Sequence, residues 1–298
     1  MKITVLTMFP QLFDGFRDGP VVQRAIRKGI LELEIVDIKE FAPGSFRHID
    51  DSPFGGGAGM VMRCQPVLDA LRSVKNRSGG DGASCNDEES ASRSCDYGAS
   101  PSCGDGASYN DEESASRSCD YGASPSCEDG TSHISEEMTV AMTPAGRPFD
   151  QKTAHRLSEL AHLILICGHY EGMDERIYRH VDEEISIGDY VLTGGEIAAM
   201  VVSDAVIRLL PGALRGESTS EESFENGLLE YPQYTQPAVY EGEAVPEVLT
   251  SGNHARIRRW RLKESLRRTL ERRPDLLEGR QFTEEELALL EEIRKDAL

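Results

Sequence analysis

The residues best suited to chemistry lie in three glycine-rich stretches: Asp50-Asp51-Ser52-Pro53-Phe54-Gly55-Gly56-Gly57-Ala58-Gly59-Met60, Gly168-His169-Tyr170-Glu171-Gly172-Met173-Asp174-Glu175-Arg176, and Ile187-Gly188-Asp189-Tyr190-Val191-Leu192-Thr193-Gly194-Gly195-Glu196. The second and third directly follow apolar runs that read as strands. Glycine at the C-terminal end of a strand lets the backbone approach a ligand and present its N–H and C=O groups, and that edge is where open α/β sheets bind small molecules. An adenine edge is one target such groups can read. Any one of these loops alone reads equally well as a tight turn, since glycine is the usual turn residue. Three together favour a ligand site. No G-x-G-x-x-G follows the first strand and no G-x-x-x-x-G-K-[ST] occurs, so the two commonest nucleotide-binding devices are absent.

A second candidate is electrostatic. The formal net charge is -20, which by itself disfavours a phosphate-rich partner. Within that acidic chain, however, Arg256, Arg258, Arg259, Arg261, Lys263, Arg267, Arg268, Arg272 and Arg273 are opposed only by Glu264 and Glu271. This basic island also carries Trp260. Phosphates and exposed loop bases of an RNA suit such a segment. Trp260 itself reads as the anchor of a small core, because large aromatics dominate small cores, leaving the arginines to carry RNA contacts.

These residues need a scaffold. Apolar β-branched runs predict strands at Ile3 to Met8, Leu31 to Ile38, Met138 to Met142, Leu163 to Cys167 and Ile185 to Ile187. Apolar residues at three- and four-residue spacing predict helices at about 20–29, 66–75, 150–161, 173–181 and 195–210. Alternation of the two predicts an α/β domain whose parallel sheet is covered on both faces. The Gly, Ser and Glu residues after Pro211 predict a linker. Beyond it, helices are expected at 255–271 and 283–295, the second opened by Thr283 and Glu286 at capping-box spacing. The expected division is a cofactor-binding domain over 1–213, a linker over 214–227 and a small, mainly helical domain over 228–298.

Residues 80–103 are repeated at 104–127 with one change, Cys85 becoming Tyr109. A stacking repeat needs an apolar face, and this one has almost no Leu, Ile, Val or Phe, so 77–133 reads as an acidic, disordered insertion. It holds Cys85, Cys95, Cys103, Cys119 and Cys127 at spacings that match no paired zinc motif. Cys64 and Cys167, in apolar surroundings, read as small core residues. No run approaches a membrane span, and the N-terminus enters a strand without a signal peptide's cleavage site, so a cytoplasmic setting is expected.

The stretches DDSPFGGGAGM, GHYEGMDER, SIGDYVLTGGE and SGNHARIRRWRLKESL resemble, in order and at compatible spacing, the signature stretches of the bacterial tRNA (guanine-N1) methyltransferases. The resemblance covers the chain apart from the repeat insertion. It implies a SPOUT-type fold, with the C-terminal part of the α/β domain threaded as a trefoil knot, a topology that general connection rules disfavour. It further implies a homodimer, S-adenosylmethionine as methyl donor, and tRNA as substrate, modified at the guanine following the anticodon. The cofactor site it implies comprises Met142, Thr143, Pro144, Gly168, Glu171, Ile187, Gly188, Asp189, Tyr190, Val191, Leu192, Gly194 and Gly195. Glu171 is also the residue to which the family's reported magnesium dependence points; no protein ligand set for a metal is assigned. His169, within a cofactor loop, reads as a structural loop residue.

Methyl transfer from a sulfonium is an in-line displacement, so much of the work is alignment. Guanine N1 carries a proton at neutral pH, and a general base must remove it. The family's base is an aspartate just before Ser-Phe; here the matching residue in Glu221-Glu222-Ser223-Phe224 is Glu222, one methylene longer. The family's second catalytic residue matches Arg208, whose guanidinium would stabilise charge developing on guanine O6. Two other readings stay open from sequence: an RNA-binding protein that keeps the fold without catalysis, and a methyltransferase acting on rRNA or another tRNA position.

Overall fold

The computed structural model describes residues 1–78, 137–214 and 222–296. The repeat insertion from residue 79 onward and Glu221 lie outside the described residues. Five parallel strands form the main sheet: β1 (Lys2–Thr7), β2 (Glu32–Asp37), β3 (Glu137–Pro148), β4 (His162–Cys167) and β5 (Glu183–Ser186), in the spatial order β2-β1-β4-β3-β5. Each predicted strand is present. β3 runs past its expected end at Met142, pairing again with β5 through Arg147 and Pro148 after a register shift.

Period-two alternation sends the strands' side chains to two separate cores. Ile3, Val5, Leu163, Leu165 and Cys167 face one cluster, whereas Leu6, Ile164 and Ile166 face the other. Helices α1 (Pro20–Arg27), α2 (Cys64–Ser78), α3 (Gln151–Ser158), α4 (Glu175–Tyr178) and α5 (Glu196–Leu209) flank the sheet. The two faces are therefore both covered, as the near-continuous apolar strands require. The helix expected over 173–181 is a single turn. Met173 is held extended by a parallel bridge to Met62, and the Asp174 side chain caps the turn by accepting from the Arg176 N–H.

In the C-terminal part, α6 (His254–Arg272) packs against α7 (Glu284–Asp296) around Leu228, Leu266, Leu289, Leu290 and Ile293. The capping box of α7 is formed reciprocally: Glu286 N–H donates to Thr283 Oγ1 at 3.2 Å and Thr283 N–H to Glu286 Oε2 at 2.8 Å. Trp260 is not the anchor expected of it. The inward positions of α6 are Leu262, Leu266, Thr269 and Leu270, and at about 100° per residue Trp260 falls on the far side, half-exposed with its ring 6.4 Å from that of Tyr234. Aliphatic side chains fill this core instead. Among the described residues, no helix is long and apolar enough to cross a membrane.

Candidate active site

Sheet order explains why distant loops meet. β4, β3 and β5 are neighbours and parallel, so their C-terminal ends open at one edge. The segments leaving those ends, Met142 to Pro144, Gly168 to Gly172 and Ile187 to Gly195, enclose a cleft of about 210 Å³. Thr143, Pro144, Gly168, Glu171, Ile187, Gly188, Tyr190, Val191, Leu192, Gly194 and Gly195 all line it. Asp189 does not; it is exposed. Sequence reasoning missed Tyr178, Ser186 and Ala198 in the wall. Tyr178 hydrogen-bonds with Thr143, and burial pushes its phenol up despite that bond. Only the packing of α4 against α2 reveals it, and no motif marks it.

The glycines act by close approach. Gly195 N–H donates to the Gly168 carbonyl at 2.7 Å, and a Cβ on Gly195 would stand 3.0 Å from the Cys167 Cα and the Gly168 nitrogen. The second and third loops thus touch backbone to backbone. Gly188 has φ +148, and a Cβ there would meet the Tyr190 ring at 2.5 Å. Its space is filled by Tyr190 rather than left open to a ligand, so the sequence-based reason for this glycine is corrected: it permits the loop's own fold. His169 is built into the wall. Its Nδ1 accepts from the Tyr170 N–H at 2.9 Å, and its ring lies 5.0 Å from that of Phe9. Beneath the loops, Glu196 is almost fully buried and accepts from Thr7 Oγ1 at 2.9 Å, tying the start of α5 to β1.

The first glycine stretch supports the cleft from outside. Glu171 N–H donates to the Met60 carbonyl at 3.1 Å and Met62 N–H to the Gly172 carbonyl at 2.9 Å. No residue from Asp50 to Met60 lines the cleft itself. Glu171 is the one carboxylate in the lining. Among the described residues no three His, Cys, Asp or Glu side chains converge into an assembled cage for magnesium. The lining fits an adenosyl group better: backbone N–H and C=O groups from glycine loops alternate with apolar Met142, Pro144, Ile187 and Leu192. Cys167, fully buried behind this wall, has its thiol pushed well up by burial and by the nearby Glu196 charge, as befits a core residue.

Arg208 and Glu222 come together elsewhere. Arg208 Nη2 donates to Glu222 Oε1 at 2.7 Å and Oε2 at 2.8 Å. Neither lines the cleft: α5 starts in the cleft wall and Arg208 stands near its other end, roughly 15–20 Å away at 1.5 Å per residue. The stretch after Glu222 is pinned rather than loose. Glu225 accepts from Gln151 Nε2 at 2.7 Å and lies 2.9 Å from His155 Nε2, both on α3.

The basic island is partly neutralised by α7. Arg258 pairs with Glu285 at 3.0 Å, Arg259 with Glu292, Lys263 with Asp296 at 2.8 Å, and Arg267 with Asp296 at 3.3 Å. A row of cations open to phosphate is what the sequence leads one to expect, and α7 answers four of the nine with acids. The acidic residues were plain in the sequence, but their partners were not, because the pairs span roughly 27 to 33 positions and depend on how two helices dock.

Comparison with known proteins adds the following. A sequence model described as tRNA (Guanine-1)-methyltransferase TrmD matches residues 1–83 and 124–279, leaving 84–123 and 280–298 unmatched. A tRNA (guanine-N(1)-)-methyltransferase of Leuconostoc mesenteroides is 42% identical over 297 residues, covering 99% of this chain and 99% of its own. Similarly named proteins of Dictyoglomus turgidum and Listeria welshimeri are each 42% identical, over 99% and 98% of this chain and 98% of their own.

Proposed function

We infer the reaction from the family to which this chain belongs, the tRNA (Guanine-1)-methyltransferases: the chain transfers a methyl group from S-adenosylmethionine to N1 of a guanine in tRNA. The guanine we assign is the one following the anticodon. The setting we assign is the cytoplasm.

The observation that carries the mechanistic reading is the separation along α5. One end of this helix stands in the glycine-loop cleft and the other carries the Arg208–Glu222 pair. Proton removal needs Glu222 within hydrogen-bond reach of guanine N1, and methyl transfer needs that same N1 in line with the donor. One chain does not bring the two together. Two chains related by a two-fold axis do, if the cleft of one faces the Glu222 of the other. The outer side of α5 supports such a homodimer, because Ile197 and Val201, one turn apart, are 54% and 44% exposed.

In this reading Thr143, Pro144, Gly168, Glu171, Ile187, Gly188, Tyr190, Val191, Leu192, Gly194 and Gly195 hold the cofactor by backbone groups and apolar contact; Asp189 shapes the loop. When bound, S-adenosylmethionine supplies an electrophilic methyl group. Glu222 Oε accepts the N1 proton of guanine, and Arg208 stabilises the charge that passes to O6. Exchange of the guanidinium between carboxylate and base accompanies the step. The finer architecture we assign is the SPOUT class, with the third loop and α5 threaded as a trefoil knot; the backbone contact of Gly195 with Gly168 and the buried Thr7–Glu196 hydrogen bond support a crossing there. The cofactor domain is taken as 1–213, the linker as 214–227 and the helical unit as 228–298.

Subunit mixing tests the shared site. A Gly188→Val chain and a Glu222→Gln chain, each inactive alone, should regain roughly a quarter of wild-type sites when unfolded and refolded together, since half the dimers are mixed and each has one intact site. Absence of any recovery, with mixed dimers demonstrated, would place each active site within one chain.

A further inference from the structure

At the edge of the sheet where the parallel strands begin, opposite the cofactor cleft, a cavity of about 290 Å³ lies between the last turns of α2 and the turn joining α4 to β5. Methyl transfer uses none of it. Arg72, Lys75 and Arg179 supply its positive charge and His180 a ring donor, while Leu71 forms part of its apolar wall. Its one lining carboxylate is already engaged. Asp182 accepts from the Thr139 N–H at 2.7 Å, and its own N–H donates to the Thr139 carbonyl at 2.8 Å.

The cations of this cavity are loosely held. Arg72 meets Asp69, one turn back on α2, at 2.9 Å with its own side chain 64% exposed, and exposed pairs of that kind contribute little. Lys75 stands 4.0 Å from Glu137, a carboxylate drawn the other way by His162 at 2.8 Å. Arg179 and His180 are exposed and have no ion-pair partner among the described residues. The positive charge is therefore available to a ligand.

The chain itself brings acids to this place. Residues 79–136, outside the described residues, leave from Ser78, one helical turn beyond Lys75, and return at Glu137 beside the same lysine. That segment holds thirteen Asp and Glu against two Arg, and three adjacent carboxylates occur in it twice, Asp87-Glu88-Glu89 and Asp111-Glu112-Glu113. Asp87 is nine residues past Ser78, a span of up to about 30 Å when extended. It reaches the cavity. Tethering at both ends keeps these acids at a local concentration on the order of millimolar, where contacts too weak to hold a free peptide suffice.

We propose that this cavity docks the acidic repeats of the chain's own insertion, one Asp-Glu-Glu run at a time, with the carboxylates on Arg72, Lys75 and Arg179. Charge complementarity and the position of both segment ends carry the proposal, which goes beyond the methyl-transfer reading and stands without it. The two runs are identical, so either fills the site.

Carbodiimide coupling of the full-length protein, read by peptide mass spectrometry, tests this, because the reagent joins a carboxylate to Lys75 only where the two are in contact. Lys75 should be joined to residues 87–89 and 111–113 of its own chain. Raising the salt to about 0.5 M, where screening acts within a few ångströms, should reduce both products. The double variant Arg72→Gln, Arg179→Gln alters only exposed side chains and should lower the yield about fivefold, the scale of one or two surface ion contacts. Asp111→Asn with Glu112→Gln and Glu113→Gln should shift the coupling to 87–89 rather than abolish it. Coupling of Lys75 only to the acids nearest the segment ends, Asp81 and Glu136, or a yield that neither salt nor the arginine changes alter, would show tethering without a site and overturn the proposal. Products found only between chains of different isotope label would overturn it in favour of a second copy. Weakened tRNA binding in the arginine variant, with coupling unchanged, would overturn it in favour of RNA.

Discussion

Arg208 and Glu222, fourteen positions apart, are joined by one guanidinium nitrogen that reaches both carboxylate oxygens, at 2.7 and 2.8 Å. The pair is half-exposed, with side-chain exposures of 38% and 28%. Residues joined in this way act as a unit, and their removal is not additive. Glu222→Gln should lower single-turnover methyl transfer by about a hundred- to ten-thousand-fold while leaving cofactor and tRNA affinity in place. Arg208→Ala should cost less than that, and the double variant little more than Glu222→Gln alone. Glu222→Asp, which keeps the charge and shortens the reach, should retain activity. A fully active Glu222→Gln protein would remove this residue from proton transfer.

Gly188 makes a second prediction through its backbone. At φ +148, and with Tyr190 where a Cβ would go, even alanine forces the loop to move. Gly188→Ala should therefore weaken S-adenosylmethionine binding measurably by calorimetry, and Gly188→Ala with Tyr190→Ala should recover little, because the strained φ remains. Full recovery in the double variant would assign the effect to the tyrosine clash alone.

The acids of α7 make a third. Glu292 pairs with Arg259 and lies 3.4 Å from Lys263. Removing it with Glu292→Ala unmasks positive charge, so tRNA binding should tighten and its dependence on salt should steepen. Unchanged affinity and slope would mean that this face of α6 does not meet RNA.

Acid stability follows from two carboxylates. Hydrogen bonding from Arg176 holds Asp174 down to about 2, against desolvation that acts the other way. Burial pushes Glu286 up, but the Thr283 N–H and Arg280 outweigh it and hold the group below the usual carboxylate range. A carboxyl lowered in the folded state contributes stability that is present above its unfolded value and disappears as pH falls through its folded value. For Asp174 that window runs from about pH 4 down to about 2. Asp174→Asn should lower the melting temperature at neutral pH and converge with the wild type toward the bottom of this window. A difference independent of pH would show that the aspartate contributes through shape rather than charge.

Much of the scaffold was readable because its signals are local. β1 and β4 each carry a mostly apolar run, Ile3, Val5 and Leu6 in one and Leu163 to Cys167 in the other, since both faces of the sheet are covered, and Thr283 and Glu286 announce the start of α7 three residues apart. The cofactor loops were readable for a related reason: Gly168, Gly188, Gly194 and Gly195 sit where strands end, and a parallel sheet brings those ends to one edge. What stayed hidden depends on docking. The Arg259–Glu292 pair, the half-exposed Trp260 and the buried Thr7–Glu196 hydrogen bond each join segments whose approach no short pattern encodes. The fixed distance between the cleft and Arg208 is similar in kind, because it emerges only when α5 is seen to start at one site and end at the other.

The central claim is tested most directly by incubating the purified chain with unmodified tRNA and methyl-labelled S-adenosylmethionine, then digesting the RNA and separating its nucleosides. Label should appear in N1-methylguanosine, in a fragment containing the guanine that follows the anticodon, and should be absent when that guanine is replaced by adenine. Label in another nucleoside, or at another position, or none with a folded protein that binds both ligands, would contradict the account.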